Sequence, residues 1–170
     1  MINYEYSQFL ITKCYRKLKI ILQRGIIMSK QYSKPMESQS AFQVLKDEPF
    51  ANFLGIKLTS MDEGTATAEL FTTENMLNSH GSVHGGVIFS LADFAFAAAS
   101  NSYGQVAVGV NNSINYFAAG HVNTILIATA TEIKRTRKLA WYNIQVHNEE
   151  TLIASMEAMV YLKNQNFLSE

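Results

Sequence analysis

Residues 85–100 constrain the possible fold more than any other stretch of this chain. The segment starts with two glycines, continues with strong helix formers and is apolar on nearly every face. A helix that is hydrophobic all round lies inside a protein, so a sheet must wrap around it. Asp93 interrupts the segment about two turns from its start. Because an ionised carboxylate in apolar surroundings is unfavourable unless it is satisfied, Asp93 needs a functional reason.

The rest of the chain predicts one domain built mostly of strands, since 170 residues suffice for a single core. A short helix is expected after Ser40, and a second helical turn from Pro49 to Gly55. Residues 56–61 and 65–73 form a predicted hairpin around the turn 62–64. Four strand candidates with short turns follow at 106–117, 124–134, 140–147 and 152–162, which favours an antiparallel sheet. We predict a folded domain over 41–163 and a tail over 164–170.

Residues 1–40 differ from the rest of the chain. Residues 1–30 carry six basic residues and one acidic residue in a pattern typical of a basic amphipathic helix, and a polar linker follows over 31–40. Two interpretations stay open: a targeting or membrane-surface segment, or a non-native extension upstream of a start at Met28. We favour the extension and do not expect membrane contact.

Charge and cysteine content exclude other classes of protein. Beyond residue 30, eight basic residues face thirteen acidic ones, a balance of −5, which argues against a nucleic-acid-binding surface. Cys14 is the only cysteine, so no intrachain disulfide can form and a cytoplasmic location is expected. The apolar run 85–99 is too short to span a bilayer.

The glycine start of the predicted helix suggests a chemistry. The first N–H groups of a helix have no intrahelical partner, and the helix dipole adds positive charge there. Such an end can stabilise the oxyanion formed when a carbonyl is attacked, and Asp93 can serve as general base or nucleophile. Asp93 lies seven or eight residues beyond the two glycines, roughly 11 Å along the helix. If both act on one bond, Asp93 must come from a second copy of the chain.

A longer pattern carries a resemblance to a known family. Asn78 lies six residues before His84, the glycines at 85 and 86 follow, and Asp93 lies nine residues after the histidine. Together with Phe89-Ser90-Leu91-Ala92 and Ala95-Phe96-Ala97, this closely resembles the hotdog-fold acyl-CoA thioesterases of the phenylacetate-degradation (PaaI-like) type. The resemblance covers about residues 45–163. It implies an α+β fold in which a long central helix is wrapped by a five- or six-stranded antiparallel sheet.

The resemblance also implies roles for individual residues. Gly85 offers the oxyanion-hole N–H, and Asp93 of the neighbouring subunit is the catalytic carboxylate. Asn78 positions the thioester or the water, and His84 shapes the loop and polarises the carbonyl. The family dimerises edge to edge, often pairing into tetramers, and needs no cofactor or metal. His80 and His84 lie in a glycine-containing turn, so we expect no metal site there.

Further residues are candidates for substrate binding. Half of the basic charge after residue 30 lies within five positions at one strand end, which suits the phosphates of coenzyme A, although a solvated hairpin tip is an equal alternative. Polar residues at 111–113 interrupt an apolar strand, and the residue facing the site is left open. Apolar side chains, with Tyr116 and Phe96, would line an acyl pocket. The substrate-binding candidates are Leu77, Gly86, Phe89, Asn111, Ser113, Lys134, Arg135, Arg137 and Lys138.

The sequence therefore predicts hydrolysis of acyl-CoA thioesters. The first alternative is a non-catalytic hotdog module that binds acyl-CoA as a sensor or scaffold. The second is a hotdog dehydratase or hydratase, whose local motif is not found here. The intact set of Asn78, Gly85 and Asp93 favours catalysis.

Overall fold

The computed structural model describes residues 36–149 and 151–168. These belong to the second of the two units into which the chain divides, Pro35–Glu170. The predicted basic amphipathic helix within residues 1–30 lies outside the described residues. The described part begins with a helix inside the predicted linker, so residues 36–40 are helical.

Two short helices precede the sheet. Helix α1 spans Met36–Lys46 and helix α2 spans Pro49–Leu54, with Pro49 in the first turn, where its missing N–H has no intrahelical role. Gly55 ends α2 in the left-handed conformation at φ 79°, and its N–H bonds back to the carbonyls of Ala51 and Asn52. The predicted helical turn ending at Gly55 is therefore confirmed.

Helix α3 spans Gly85–Asn101 and is the centre of the domain. Most of its side chains from Ile88 onwards are buried, as the all-round apolar pattern predicts. The helix packs against strands of the sheet on its buried faces. Asn101 fixes its end, because the side-chain oxygen accepts the N–H of Ala107 at 2.9 Å.

Six antiparallel strands wrap around α3 in the spatial order β1-β2-β4-β5-β6-β3. Strands β1 and β2 form the predicted hairpin, and Gly64 takes φ 73° in its turn. The long central helix and six-stranded antiparallel sheet confirm the α+β hotdog fold. The strands are β1 Lys57–Asp62, β2 Thr65–Phe71, β3 Gln105–Tyr116, β4 Ile125–Arg135, β5 Leu139–Asn148 and β6 Thr151–Asn166.

The edges of the sheet differ in length. Strand β1 is a six-residue edge, whereas β3 is a twelve-residue edge bonded only to β6 within this sheet. Strand β6 reaches Asn166, inside the stretch predicted as a tail. None of the helices in the described ranges is long and apolar enough to cross a bilayer.

Candidate active site

Asp93 lies half-buried on α3 and is held from the facing strand. The side-chain N–H of Asn112 on β3 donates to Asp93 Oδ1 at 2.8 Å. Burial raises the pKa of the Asp93 carboxyl, and the hydrogen bond from Asn112 lowers it. The carboxylate is thus a stronger base than an exposed aspartate, and one donor favours its ionised form.

The register of β3 decides which of the three polar residues at 111–113 faces Asp93. Asn112 is paired with the buried Ala158 on β6, so its side chain lies on the inner face. Asn111 and Ser113 are paired with Met159 and Glu157 and are exposed. The structure therefore brings Asn112 to Asp93 and turns Ser113 towards the outer face. Asn112 is the partner that the sequence could not single out.

Asn112 has a second distinctive feature. Its Oδ1 is buried and has no hydrogen-bond partner among the described residues. An unsatisfied buried acceptor costs about 1–3 kcal/mol. The Asn112 side chain therefore donates a hydrogen bond to the Asp93 carboxylate while its own oxygen is left without a donor.

The N-terminus of α3 leaves one backbone donor open. His84 is the N-cap residue, and its Nδ1 accepts the N–H of Gly86 at 2.9 Å. Within the described residues, the N–H of Gly85 has no acceptor. Of the two glycines, Gly85 thus presents a free N–H, whereas the N–H of Gly86 is used by the cap. Because Nδ1 accepts, the neutral His84 ring carries its proton on Nε2.

Tyr116 connects this helix end to β3. Its hydroxyl donates to the Gly85 carbonyl at 3.0 Å. A Cβ added at Gly85 would lie 3.4 Å from the Tyr116 ring, an ordinary van der Waals contact. A Cβ at Gly86 would lie 3.0 Å from His84 Nδ1, which is too close without movement of the ring. A side chain at position 86 therefore has to displace the ring that makes the cap.

Asn78 organises the loop before α3. Its Oδ1 accepts the N–H groups of His80 at 2.9 Å and Ser82 at 3.3 Å, and its Nδ2 donates to Ser82 Oγ at 3.0 Å. Gly81 takes φ 76° in the same turn. Leu77 forms an isolated bridge with Val83 across the turn. In this chain Asn78 holds the turn that leads into the helix, and its predicted contact with thioester or water stays a prediction.

The basic cluster does not behave as one patch. Arg135 is turned inward: its guanidinium pairs with Glu132 at 3.3 Å, donates to Gln105 at 3.1 Å and lies 4.0 Å from the centre of the Tyr103 ring. Lys138 donates from Nζ to the Tyr161 hydroxyl at 3.3 Å. The exposed cations are Lys134, Arg137 and Lys138.

These cations border two separate depressions on the surface. Lys134 borders a groove of about 500 Å³ with Ile133 and Trp141. Arg137 and Lys138 border a depression of about 240 Å³.

Asp93 lies on the walls of two cavities. The first, of about 420 Å³, lies against β3 and is lined by Phe96, Asn111 and Asn112. The second, of about 450 Å³, lies against the first two helices and is lined by Phe89. Leu77 and Ser113 line neither cavity. The structure thus places Asp93 on the wall shared by two neighbouring cavities, one bordered by β3 and the other by the first two helices.

No group of three or more His, Cys, Asp or Glu side chains that could hold a metal ion is found in the described ranges. His80 and His84, which lie in the turn before α3 and at its N-cap, are therefore not part of such a group.

Comparisons with known proteins agree with this fold. A family model described as the thioesterase superfamily matches residues 80–155. A putative esterase of Archaeoglobus fulgidus is 38% identical over 123 residues, covering 72% of this chain and 80% of its own length. The acyl-coenzyme A thioesterase PaaI of Escherichia coli is 39% identical over 112 residues, covering 66% of this chain and 80% of its own length. The solved structure of E. coli PaaI aligns with a TM-score of 0.73 at 34% identity, covering 76% of this chain and 96% of that one.

Proposed function

As a member of the PaaI-like acyl-CoA thioesterases of the thioesterase superfamily, this chain is a thioester hydrolase, and we propose that its active site is shared between two copies. Asp93 of one copy and the Gly85 N–H of the other act on one thioester. The observation that carries the proposal is that α3 holds two groups suited to the reaction. These are the Asp93 carboxyl, whose pKa is raised, and the N–H of Gly85 at the N-terminus of the helix.

The spacing along α3 supports sharing. Gly85 and Asp93 lie on one continuous helix, about 12 Å apart along its axis. A thioester carbonyl bound at the Gly85 end is therefore out of reach of Asp93 on the same helix. A second copy supplies the missing half, so that a dimer carries two equivalent sites, as two-fold symmetry requires.

Strand β3 supports a specific way of pairing. It is a long edge strand, and edge strands offer unpaired N–H and C=O groups to another chain. Val108, Val110 and Tyr116 along it are 40%, 53% and 49% exposed. We propose that two copies pair through β3, which also carries Asn112 and so brings each Asp93 to the interface. A tetramer and a cytoplasmic location stay predictions.

The reaction balances without a metal or cofactor. Asp93 takes a proton from water as the water oxygen attacks the thioester carbon. The carbonyl oxygen becomes an oxyanion that accepts the Gly85 N–H. The carbon–sulfur bond then breaks, the CoA thiolate leaves and takes up a proton, and the acid is released. The alternative is direct attack by the Asp93 carboxylate, which forms an anhydride that water hydrolyses.

Substrate binding is proposed for the exposed cations of the basic cluster and for the residues that line the two cavities beside Asp93. The exposed cations Lys134, Arg137 and Lys138 suit the phosphates of coenzyme A. Arg135 is engaged with Glu132, and we propose that it supports the strand end instead. Phe89 lines a cavity beside Asp93 that suits the acyl group. Asn111 borders the neighbouring cavity against β3.

The proposed function is tested by thiol release from a panel of acyl-CoA substrates. Wild type is expected to release CoA, and Asp93→Asn to lose roughly 10²- to 10⁴-fold in rate, the contribution typical of a general base. The folded carboxyl has a pKa above its unfolded value, so its ionised form destabilises the folded state at neutral pH. Asp93→Asn is therefore expected to melt no lower than wild type. An Asp93→Asn variant with wild-type activity would refute the proposal.

A further inference from the structure

Glu48 shares a cavity with Asp93 and has no part in the mechanism above. The cavity of about 450 Å³ lies between the α1–α2 connection and α3. Its apolar wall includes Val44, Phe50 and Phe89, and both carboxyl groups line it. Two acidic side chains thus face one largely apolar space from different elements.

Among the described residues, no cation balances this pair. None of the described residues that line the cavity is Lys, Arg or His. The charged neighbours of Glu48 in sequence, Lys46 and Asp47, are exposed and do not line it. Asp47 accepts a hydrogen bond from Gln43 at 2.9 Å on the surface of α1. From α3 the titratable group facing Glu48 is Asp93, and α2 contributes none.

Glu48 also lacks the structural role that its position would suggest. It is the N-cap residue of α2, a position where a side-chain oxygen commonly accepts N–H groups of the first turn. Its side chain makes no cap hydrogen bond, and within the described ranges it has neither a hydrogen-bond partner nor an ion pair. The Glu48 carboxylate therefore borders the cavity without a hydrogen bond to any described residue.

The two carboxyl groups influence each other. Burial raises the pKa of Glu48, and the negative charge of Asp93 raises it further. Two like charges that border one cavity oppose each other's ionisation. By the same interaction, an ionised Glu48 makes proton uptake by Asp93 more favourable.

We propose that Glu48 is a positioning residue whose charge, across the shared cavity, strengthens Asp93 as the base that takes the proton from water. The proposal rests on the proposed function, which makes Asp93 that base. Glu48 contacts neither the reacting carbon nor the sulfur and acts through Asp93 alone.

The test is the pH profile of kcat/KM for Glu48→Gln, Glu48→Asp and wild type, measured by thiol release. Wild type is expected to lose activity towards low pH in two ionisations. Glu48→Gln is expected to show a single ionisation at lower pH and a plateau reduced roughly two- to fivefold, because a weaker base accepts the proton less readily. Glu48→Asp is expected to restore the two-step profile. Asp47→Asn removes the same charge at the neighbouring exposed position and is expected to leave the profile unchanged.

Thermal melting shows that each variant is folded, and Glu48→Gln is expected to melt no lower than wild type, since its ionised form is disfavoured by burial. A Glu48→Gln profile identical to wild type, with Asp93→Asn inactive, would overturn the role of Glu48 and leave the proposed function standing. An equal shift of the pH profile in Asp47→Asn would also overturn the role of Glu48, because the shift would then be a general effect of removing a negative charge. Full activity of Asp93→Asn would overturn the proposed function, and the role of Glu48 with it.

Discussion

Replacing Gly85 with proline removes one backbone N–H at a position whose backbone conformation suits proline. Gly85 is the first residue of α3, the position where proline is favoured and where the N–H has no intrahelical partner. The residue before a proline must be extended, and His84 already has φ −60° and ψ 135°. A Cβ at this position meets Tyr116 at 3.4 Å, an ordinary contact. The backbone therefore accommodates the change.

The expected loss is that of one oxyanion donor. Removing such a donor lowers kcat by about 10²- to 10³-fold, or roughly 3–4 kcal/mol of transition-state stabilisation. Stability is expected to be unchanged or slightly higher, because proline at a compatible position restricts the unfolded chain. A proline in a helix interior would instead cost about 3 kcal/mol.

The assay is thiol release under saturating acyl-CoA, together with thermal melting. Gly85→Ala is the matched control, since it adds the same Cβ and keeps the N–H, and it is expected to retain kcat within about threefold of wild type, because volume alone changes. A Gly85→Pro enzyme that melts like wild type and keeps its kcat would refute the assignment of the Gly85 N–H. If Gly85→Ala lost as much kcat as Gly85→Pro, the loss would be due to the added Cβ and not to the missing N–H.

Five further variants separate the roles of neighbouring groups. Asn112→Leu removes the hydrogen bond that lowers the pKa of Asp93, so the acid limb of kcat/KM is expected to move to higher pH; a limb that stays in place contradicts this. His84→Ala is expected to lose about 1 kcal/mol of stability with the cap, and His84→Asn to restore it, as chemical denaturation would measure; equal stability of all three contradicts the cap. Lys138→Gln is expected to raise KM for acyl-CoA severalfold with kcat unchanged, whereas Arg135→Gln is expected to lower the melting temperature; the reverse pattern contradicts the placement of Arg135.

The helix and hairpin could be predicted because local pattern and tertiary role agree. Residues 85–101 are apolar on nearly every face, which favours a buried helix. The alternation from Thr65 to Phe71 is the period of a strand with one buried face, and it appears in the burial of β2. Asp93 could be singled out for the same reason, since a carboxylate in such a helix conflicts with its surroundings.

The partner of Asp93 could not be predicted because β3 is irregular. The register with β6 shifts between Gly109 and Asn111, so the alternation of faces changes parity in the middle of the strand. A one-residue shift moves every later side chain to the other face. The sequence alone therefore leaves the choice among Asn111, Asn112 and Ser113 open.

A second register shift, between β4 and β5, divides the basic cluster. The register between β4 and β5 shifts between Glu132 and Lys134, which turns Arg135 to the inner face beside Tyr103 and leaves Lys134 outside. Charge density along the sequence cannot distinguish these two positions. Glu48 was missed for another reason: its relation to Asp93 depends on how the α1–α2 connection packs on α3, which no local pattern encodes.

The claim that two chains share each site is tested most directly by mixing two defective variants. Asp93→Asn and Gly85→Pro homodimers are each expected to be nearly inactive. After unfolding and refolding together in equal amounts, half of the dimers are mixed, and each mixed dimer holds one site with Asp93 from one chain and Gly85 from the other. The account predicts recovery of about a quarter of wild-type kcat, as random two-fold assembly gives. Activity that stays at the level of the separate variants, in refolded mixtures shown to contain mixed dimers, would contradict it.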